Sequence, residues 1–230
     1  MEDRLPFLRT VPLFQGLPDE ALRRVDASLQ TRFFVKGDRL FFENDPGHTM
    51  YVLRDGYIKI SKVSPDGREK TLAILRPPDF FGEMSILNNE TRSATAEAMG
   101  EVTVYVMYRD DFMPLLQARP EMAFNMIYTL SNRLREIDNE VQMLSFQSAQ
   151  GRVAHVLLRL YRTGPYEERD GVRVIAMTHQ EVANLVGASR ETVTRVLREL
   201  EDQKILRCLT KEIHVLNLDS LEALLLTTPR

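Results

Sequence analysis

The amino-acid sequence predicts an α+β fold, with an N-terminal antiparallel β-roll of the jelly-roll type, one long helix and a C-terminal winged helix-turn-helix. Three observations support this prediction. Short apolar runs broken by turn residues fill residues 31–108, evenly spaced apolar residues follow in 121–146, and two short capped helices begin at Thr178. The predicted domains are residues 1–118, 119–147 and 148–230.

The composition excludes several classes of protein. With 230 residues, 43% of them hydrophobic, the chain is long enough for two small cores. No apolar stretch reaches the ~18 residues needed to span a bilayer, and the N-terminus lacks a signal core, so we expect a cytoplasmic protein with no membrane partner. One cysteine and four scattered histidines predict neither a disulfide nor a metal site. Without a nucleophile elbow or a Walker loop, we expect no enzyme and assign no catalytic residue.

Turn residues separate the short β-like runs of residues 31–108. The breaks fall at Gly37-Asp38, Asp45-Pro-Gly47, Asp55-Gly56 and Pro65-Asp-Gly67. Because glycine readily adopts a positive φ, Pro65-Asp-Gly67 between two such runs predicts a hairpin. Several closely spaced strands with turns of this kind predict an antiparallel barrel or jelly roll.

The long helix carries apolar residues at spacings of 3, 4, 3, 4 and 3, with polar flanks. These seam residues are Ile127, Leu130, Leu134, Ile137, Val141 and Leu144. Such a seam pairs two helices by packing knobs into holes, which predicts a parallel homodimer. The alternative is a helix packed on its own domain, for which a wider apolar stripe is expected.

Two short helices with a glycine between them follow in the C-terminal third. Thr178 and Glu181 form a capping box for the first helix, Gly187 ends it, and Ser189 is a good N-cap for the second. The second helix has a predicted buried stripe and an opposite face that is polar or charged, made of Arg190, Glu191, Thr194, Arg195 and Arg198. This pattern is typical of a DNA-reading helix-turn-helix, although an ordinary solvated helix with internal ion pairs is the alternative.

A glycine-containing segment in the β region carries groups suited to a nucleotide. Gly82 allows close backbone approach, Arg92 and Ser93 supply donors for a phosphate, and Glu83 could accept from a ribose hydroxyl. From spacing alone, a surface ion pair between Glu83 and Arg92 is the more common explanation.

Residues 178–206, with the core Gly187-Ala-Ser-Arg-Glu-Thr-Val-Thr-Arg195, resemble the winged helix of the catabolite activator (CRP/FNR) family. The resemblance covers nearly the whole chain. It implies that Ser189 and Thr192 contact DNA phosphates. It also implies that Arg190, Glu191 and Arg195 read the base edges of a TGTGA-like half-site. A homodimer would then bind a palindromic double-stranded site, and an activator of this kind would contact RNA polymerase.

The segment around Gly82, Glu83, Arg92, Ser93 and Ala94 resembles the phosphate-binding cassette of the same family. The resemblance implies a cyclic nucleotide, most simply cAMP, as an allosteric effector rather than a catalytic cofactor.

Ile137 and Asp138 stand where the cAMP-responsive type has a Thr-Ser pair that holds the adenine. The Asp138 carboxylate could accept from adenine and at least equally well from guanine, so the base stays open. Two further alternatives stay open. The regulator could act without an effector, or the chain could be a nucleotide-sensing module that acts on a protein partner.

Overall fold

The computed structural model describes residues 4–169 and 172–225, and for residues 143–146 it describes the backbone alone. The described residues form two compact units. The first comprises the residues up to Lys62 together with Ala73–Glu136. The second comprises Val63–Leu72 together with the residues from Ile137 onward.

The described residues up to Phe146 form short helices, eight strands and one long helix. The first helices are α1 (Leu5–Leu8), a 3₁₀ turn (Pro12–Phe14) and α2 (Asp19–Ser28). The strands are β1 (Gln30–Phe34), β2 (Arg39–Phe41), β3 (Thr49–Asp55), β4 (Ile58–Val63), β5 (Glu69–Leu75), β6 (Phe80–Phe81), β7 (Thr95–Ala98) and β8 (Val102–Tyr108). The remaining helices are α3 (Glu83–Asn88), α4 (Arg109–Ala118) and α5 (Pro120–Phe146).

These strands form two four-stranded sheets, which confirms the predicted antiparallel β-roll. The strand orders are β1-β8-β3-β6 and β2-β7-β4-β5, and the pairs β1-β8, β3-β8 and β4-β7 are antiparallel. Alternate residues point inward, and Leu53, Ile58, Phe81, Ala96 and Val104 join one buried cluster. The predicted hairpin lies between β4 and β5, where Gly67 has a φ of 82°.

A second cluster joins the N-terminal helices to the first sheet and to the beginning of α5. Phe14, Leu22, Met107, Phe112 and Met122 are all buried in it. Burying a side chain of this size stabilises the fold by about 1.5–3 kcal/mol. This packing fixes the sheet that carries β3 and β6, the two strands that border the cassette.

The C-terminal part of the chain is a winged helix-turn-helix, as the sequence predicts. Its helices are α6 (Ala149–Thr163), α7 (His179–Val186), α8 (Arg190–Asp202) and α9 (Leu218–Ala223). Its strands are β9 (Tyr166–Arg169), β10 (Val172–Ile175), β11 (Leu206–Leu209) and β12 (Glu212–Val215), in the order β11-β12-β10-β9. The wing is the antiparallel hairpin β11-β12.

One local prediction in this region is wrong. The sequence predicts a loop between Gly164-Pro165 and residue 170, but Tyr166–Arg169 is a strand that pairs antiparallel with β10. The polar sequence of this segment gives no apolar pattern from which a strand could be predicted. The strand is held instead by its backbone hydrogen bonds and by Arg169, which contacts Glu167 and Glu212.

Candidate functional site

The cassette begins at a glycine that no other residue could replace without strain. Gly82 follows β6 in the left-handed region, with a φ of 80°, and is the N-cap of α3. A Cβ at this position would lie 2.7 Å from Arg92 Nη1 and 3.1 Å from the carbonyl oxygen of Thr49. The turn therefore needs glycine for its backbone conformation and also for the space that Arg92 occupies.

Arg92 is a buried cation that donates its hydrogen bonds to neutral oxygens of the described residues. Its Nη1 donates to the Gly82 carbonyl at 3.0 Å and to Ser85 Oγ at 2.8 Å, and its Nη2 donates to Thr49 Oγ1 at 2.8 Å. Its Nε is buried and has no hydrogen-bond partner in the same part of the chain. Burial lowers the pKa of the guanidinium, which records the cost of removing this charge from water. A buried cation with an unused donor favours the binding of an anion.

Glu83 is also buried, and its partner is an arginine on the long helix. Arg133 Nη1 lies 3.0 Å from Glu83 Oε1, and Arg133 Nη2 donates to the Phe80 carbonyl at 2.5 Å. Burial raises the pKa of the Glu83 carboxyl, and the Arg133 charge opposes this shift. A surface ion pair between Glu83 and Arg92 is therefore ruled out. Both residues are buried, and Glu83 pairs with a residue 50 positions away.

The other predicted effector residues are exposed. Ser93 lies beside Arg92, and its Oγ is 3.8 Å from Met84 Sδ. Asp138 is exposed on α5 and belongs to the second unit. The first unit thus brings together Gly82, Glu83, Arg92 and Ser93. Sequence reasoning did not assign Arg133 to this site, because nothing nearby distinguishes it from the other polar residues on the flanks of α5.

Both caps of the helix-turn-helix form as predicted. Thr178 Oγ1 accepts from the Glu181 amide at 3.2 Å, and Glu181 Oε2 accepts from the Thr178 amide at 2.7 Å. Gly187 ends α7 in the left-handed region, and Ser189 Oγ accepts from the Thr192 amide at 3.2 Å. An N-cap of this kind stabilises a helix by about 1 kcal/mol, so local contacts fix the residue at which each helix begins.

Helix α8 presents a polar face opposite a buried stripe. The stripe consists of Val193, Val196, Leu197 and Leu200. On the other face Arg190, Glu191, Arg195 and Arg198 are exposed, and Thr194 is partly so. Arg195 pairs with Glu199 at 2.8 Å, one turn further along. An exposed pair of this kind contributes at most about 1 kcal/mol, so the guanidinium can exchange this partner for a base edge.

His179 is a member of this surface that sequence reasoning missed. Its Nδ1 lies 3.0 Å from Thr194 Oγ1, which joins the start of α7 to the polar face of α8. Burial, followed by the charges of Arg190 and Arg198, lowers the pKa of the imidazole. Its neutral form is therefore favoured near pH 7. The sequence gave no signal for the contact with Thr194, because His179 is an isolated histidine at the start of a helix.

Helix α5 leaves most of the predicted seam exposed on this single chain. Ile127, Leu134, Ile137 and Val141 are each more than half exposed. Leu130 differs, since it packs partly against the buried cluster of the first unit. Leu144 lies outside the residues whose side chains are described.

Neither a membrane span nor a metal site is found among the described residues. No helix there is both long and apolar enough to cross a membrane. No group of three or more histidine, cysteine or acidic side chains in the same residues could hold a metal ion.

Comparison with known proteins matches both halves of the chain. The cyclic nucleotide-binding domain matches residues 31–119, and the Crp-like helix-turn-helix domain matches residues 151–224. The cyclic AMP receptor protein of Thermus thermophilus is 37% identical, covering 85% of this chain and 88% of its own. The CRP-like cAMP-activated global transcriptional regulator of Mycobacterium tuberculosis is 36% identical, covering 87% of this chain and 90% of its own.

A crystal structure also aligns with this chain. It is that of a CRP/FNR-family transcriptional regulator from Thermus thermophilus, with a TM-score of 0.78 and 30% identity, and it covers 87% of this chain and 100% of that one. The similarity to these proteins extends along most of the chain and includes both the cassette that begins at Gly82 and the capped helix-turn-helix. The chain belongs to the CRP/FNR family, whose members are DNA-binding transcription regulators and not enzymes.

Proposed function

We propose that this protein is a homodimeric transcription activator that reads a TGTGA-like palindrome and is controlled by cAMP or a related cyclic nucleotide. One observation carries the proposal. Arg92 is buried, its Nε has no partner among the described residues, and its other nitrogens donate to neutral oxygens there. A buried guanidinium in this state gains most from a bound anion, and a cyclic phosphate is such an anion.

The cassette residues match the groups of a cyclic nucleotide. Arg92 and Ser93 would donate to the cyclic phosphate, the missing Cβ of Gly82 leaves the space that the Arg92 guanidinium occupies, and Glu83 would accept from the ribose 2′-hydroxyl. The names of the two relatives support cAMP as the effector. The exposed Asp138 carboxylate could accept from either purine, so cGMP is the second nucleotide to test.

The polar face of α8 would read the DNA. Arg190 and Arg195 would pair with guanine O6 and N7 in the major groove, and Glu191 would accept from cytosine N4. Ser189 and Thr192, at the start of α8, would contact phosphates, and Thr194 lies on the same face. Each bidentate arginine–guanine pair is worth about 1–3 kcal/mol of discrimination against the wrong base.

Pairing through α5 would set the spacing of the two reading helices. Four seam side chains are more than half exposed, and each would gain about 1–2 kcal/mol when the part still exposed is buried. A two-fold dimer places its recognition helices on half-sites about one helical turn apart, which requires a palindrome. A regulator that activates from such a site would contact RNA polymerase.

A second candidate is the same DNA-binding regulator without any effector. Arg133 already occupies the Glu83 carboxylate, and three protein oxygens already accept from Arg92. These contacts favour a cassette that is largely satisfied by the protein itself. A third candidate, a nucleotide-sensing module that acts on a protein partner, has no use for the exposed arginines of α8.

Fluorescence anisotropy of a labelled TGTGA-palindrome duplex, at fixed salt, separates these candidates. Salt is held constant because the phosphate contribution alone changes affinity by orders of magnitude. We expect cAMP to tighten binding tenfold or more, which is about 1.4 kcal/mol of coupling. Equal, tight binding with and without cAMP and cGMP would favour the effector-independent regulator.

A paired-arginine variant tests the reading helix in the same assay. Arg190→Ala/Arg195→Ala should weaken binding by about thirtyfold or more, because two pairs of about 1–3 kcal/mol each are lost. The control is Arg23→Ala/Arg24→Ala, which removes the same charge from the exposed side of α2. Unchanged binding by the α8 variant would refute the recognition-helix assignment, whereas a wild type that binds no duplex would favour the protein-partner module.

A further inference from the structure

An aromatic cluster lies directly beneath the buried arginine of the cassette. It consists of Phe41 at the end of β2, Tyr51 in β3 and Phe81 in β6. Tyr51 and Phe81 are stacked, with ring centroids 5.1 Å apart, and Phe41 lies 5.6 Å from Tyr51 and 6.2 Å from Phe81. Three strands of the β-roll thus supply one continuous aromatic surface.

Arg92 rests on this surface. Its guanidinium carbon is 4.2 Å from the ring centroid of Phe41 and 5.7 Å from that of Tyr51. One edge of the guanidinium is held by Thr49 Oγ1, which in turn donates to the Tyr51 hydroxyl at 3.1 Å. One face and one edge of the guanidinium are therefore fixed by residues outside the cassette.

An aromatic ring and a carboxylate differ in their electrostatic effect on the Arg92 guanidinium. A carboxylate partner would stabilise a buried guanidinium but would also cancel its charge. The negative face of an aromatic ring stabilises the cation within about 6 Å and leaves its full positive charge in place. Phe41 at 4.2 Å therefore lowers the cost of keeping Arg92 buried without reducing its attraction for an anion.

We propose that Phe41 is a positioning residue for anion recognition by Arg92. It holds the guanidinium plane in the orientation that presents Nε and the remaining donor hydrogens to a cyclic phosphate. Ordering a rotamer-rich arginine before binding removes a cost that the ligand would otherwise bear. The inference rests on the proposed control by a cyclic nucleotide and extends it to a residue 51 positions from Arg92 in the sequence.

The test is calorimetric titration of the 230-residue chain with cAMP, for the wild type, two variants of Phe41, one of Phe42 and one of Arg92. Phe41→Leu should weaken binding about two- to tenfold, the change that corresponds to a cost of about 0.5–1.5 kcal/mol for ordering the Arg92 side chain on binding, at 1.4 kcal/mol per tenfold. Phe41→Tyr, which keeps the ring, should stay within about twofold of the wild type. Phe42→Leu is the matched control, because its ring lies 5.2 Å from the Arg39 guanidinium and not on Arg92.

A spectroscopic reading distinguishes positioning from general packing. In the free wild-type protein, the proton on Arg92 Nε should resonate upfield because of the ring current of Phe41, and Phe41→Leu should reduce this shift to the smaller contribution of the more distant Tyr51 ring while Phe42→Leu preserves it. The absence of an upfield shift in the wild type would overturn the inference even if Phe41→Leu did not fold.

The two proposals fail in different ways. If the wild type binds cAMP and cGMP no better than the Arg92→Gln variant does, the proposed nucleotide control is wrong and this inference falls with it. If the wild type binds and Phe41→Leu binds equally well, the positioning role alone is wrong.

Discussion

Removing Arg133 should destabilise the protein in a way that depends on pH. The Glu83 side chain is 5% exposed and that of Arg133 is 29% exposed, and their charged atoms are 3.0 Å apart. Breaking a fully buried pair costs about 3–5 kcal/mol, and the partial exposure of Arg133 reduces this to about 2–3 kcal/mol for Arg133→Met at pH 7.5.

The sign of the pH dependence follows from the pKa of Glu83. Burial raises that pKa above its ordinary value of 4.5, and the Arg133 charge holds it down. A carboxyl whose pKa is higher in the folded state contributes stability below its unfolded pKa, and this contribution is lost as the pH rises through the folded pKa. Without Arg133, the pKa of Glu83 in the folded protein rises further. The free energy of unfolding then decreases over a wider pH interval above 4.5. The difference between variant and wild type should therefore shrink towards pH 4.5.

Urea denaturation at pH 7.5 and pH 4.5, at one protein concentration, measures this difference. A neutral partner should repair the defect, so Glu83→Gln/Arg133→Met should lie within about 1 kcal/mol of the wild type at pH 7.5. Arg135→Met, on an exposed position of the same helix, is the control and should change stability by less than about 0.5 kcal/mol. An equal loss at both pH values, or no recovery in the double variant, would refute the reasoning.

Three further predictions follow from particular residues. Gly82→Ala should lower stability by about 1–3 kcal/mol and abolish cAMP binding in calorimetry, because its Cβ would meet Arg92. Gly67→Ala, with a similar φ but nothing within 4 Å of its Cβ, should retain binding. Leu134→Lys should convert a dimer into a monomer in light scattering, whereas Arg135→Lys should not, and a dimeric Leu134→Lys would contradict the seam. Burial raises the pKa of Cys208 to about 11. Its alkylation by iodoacetamide at pH 8 should therefore be on the order of 10²-fold slower than that of free cysteine, and an equal rate would contradict its half-buried placement.

Local chemistry made much of the C-terminal region predictable. The Thr178–Glu181 capping box, Gly187 and Ser189 each act within four residues, so their pattern in the sequence is enough to locate both helices. The β4-β5 hairpin was predictable for the same reason, since Gly67 has the positive φ that its turn requires. The periodic apolar residues of α5 located that helix equally well.

Contacts between distant segments could not be predicted in the same way. Glu83 meets Arg133 across 50 residues, and Arg92 meets Phe41 across a similar distance, so neither pair leaves a local spacing in the sequence. The nearest local candidate, an ion pair between Glu83 and Arg92, was misleading because burial decides the partners of both charges. Strand β9 was missed because its polar residues carry no apolar alternation.

The coupling between nucleotide and DNA is the central claim, and reciprocal binding tests it most directly. Calorimetry would measure the affinity for cAMP with and without saturating TGTGA-palindrome duplex at fixed salt. Linkage requires the duplex to tighten cAMP binding by the same factor by which cAMP tightens DNA binding, which we expect to be tenfold or more. The Arg92→Gln variant should lose this gain and keep its basal DNA affinity. An affinity for cAMP that is the same with and without the duplex would contradict the account.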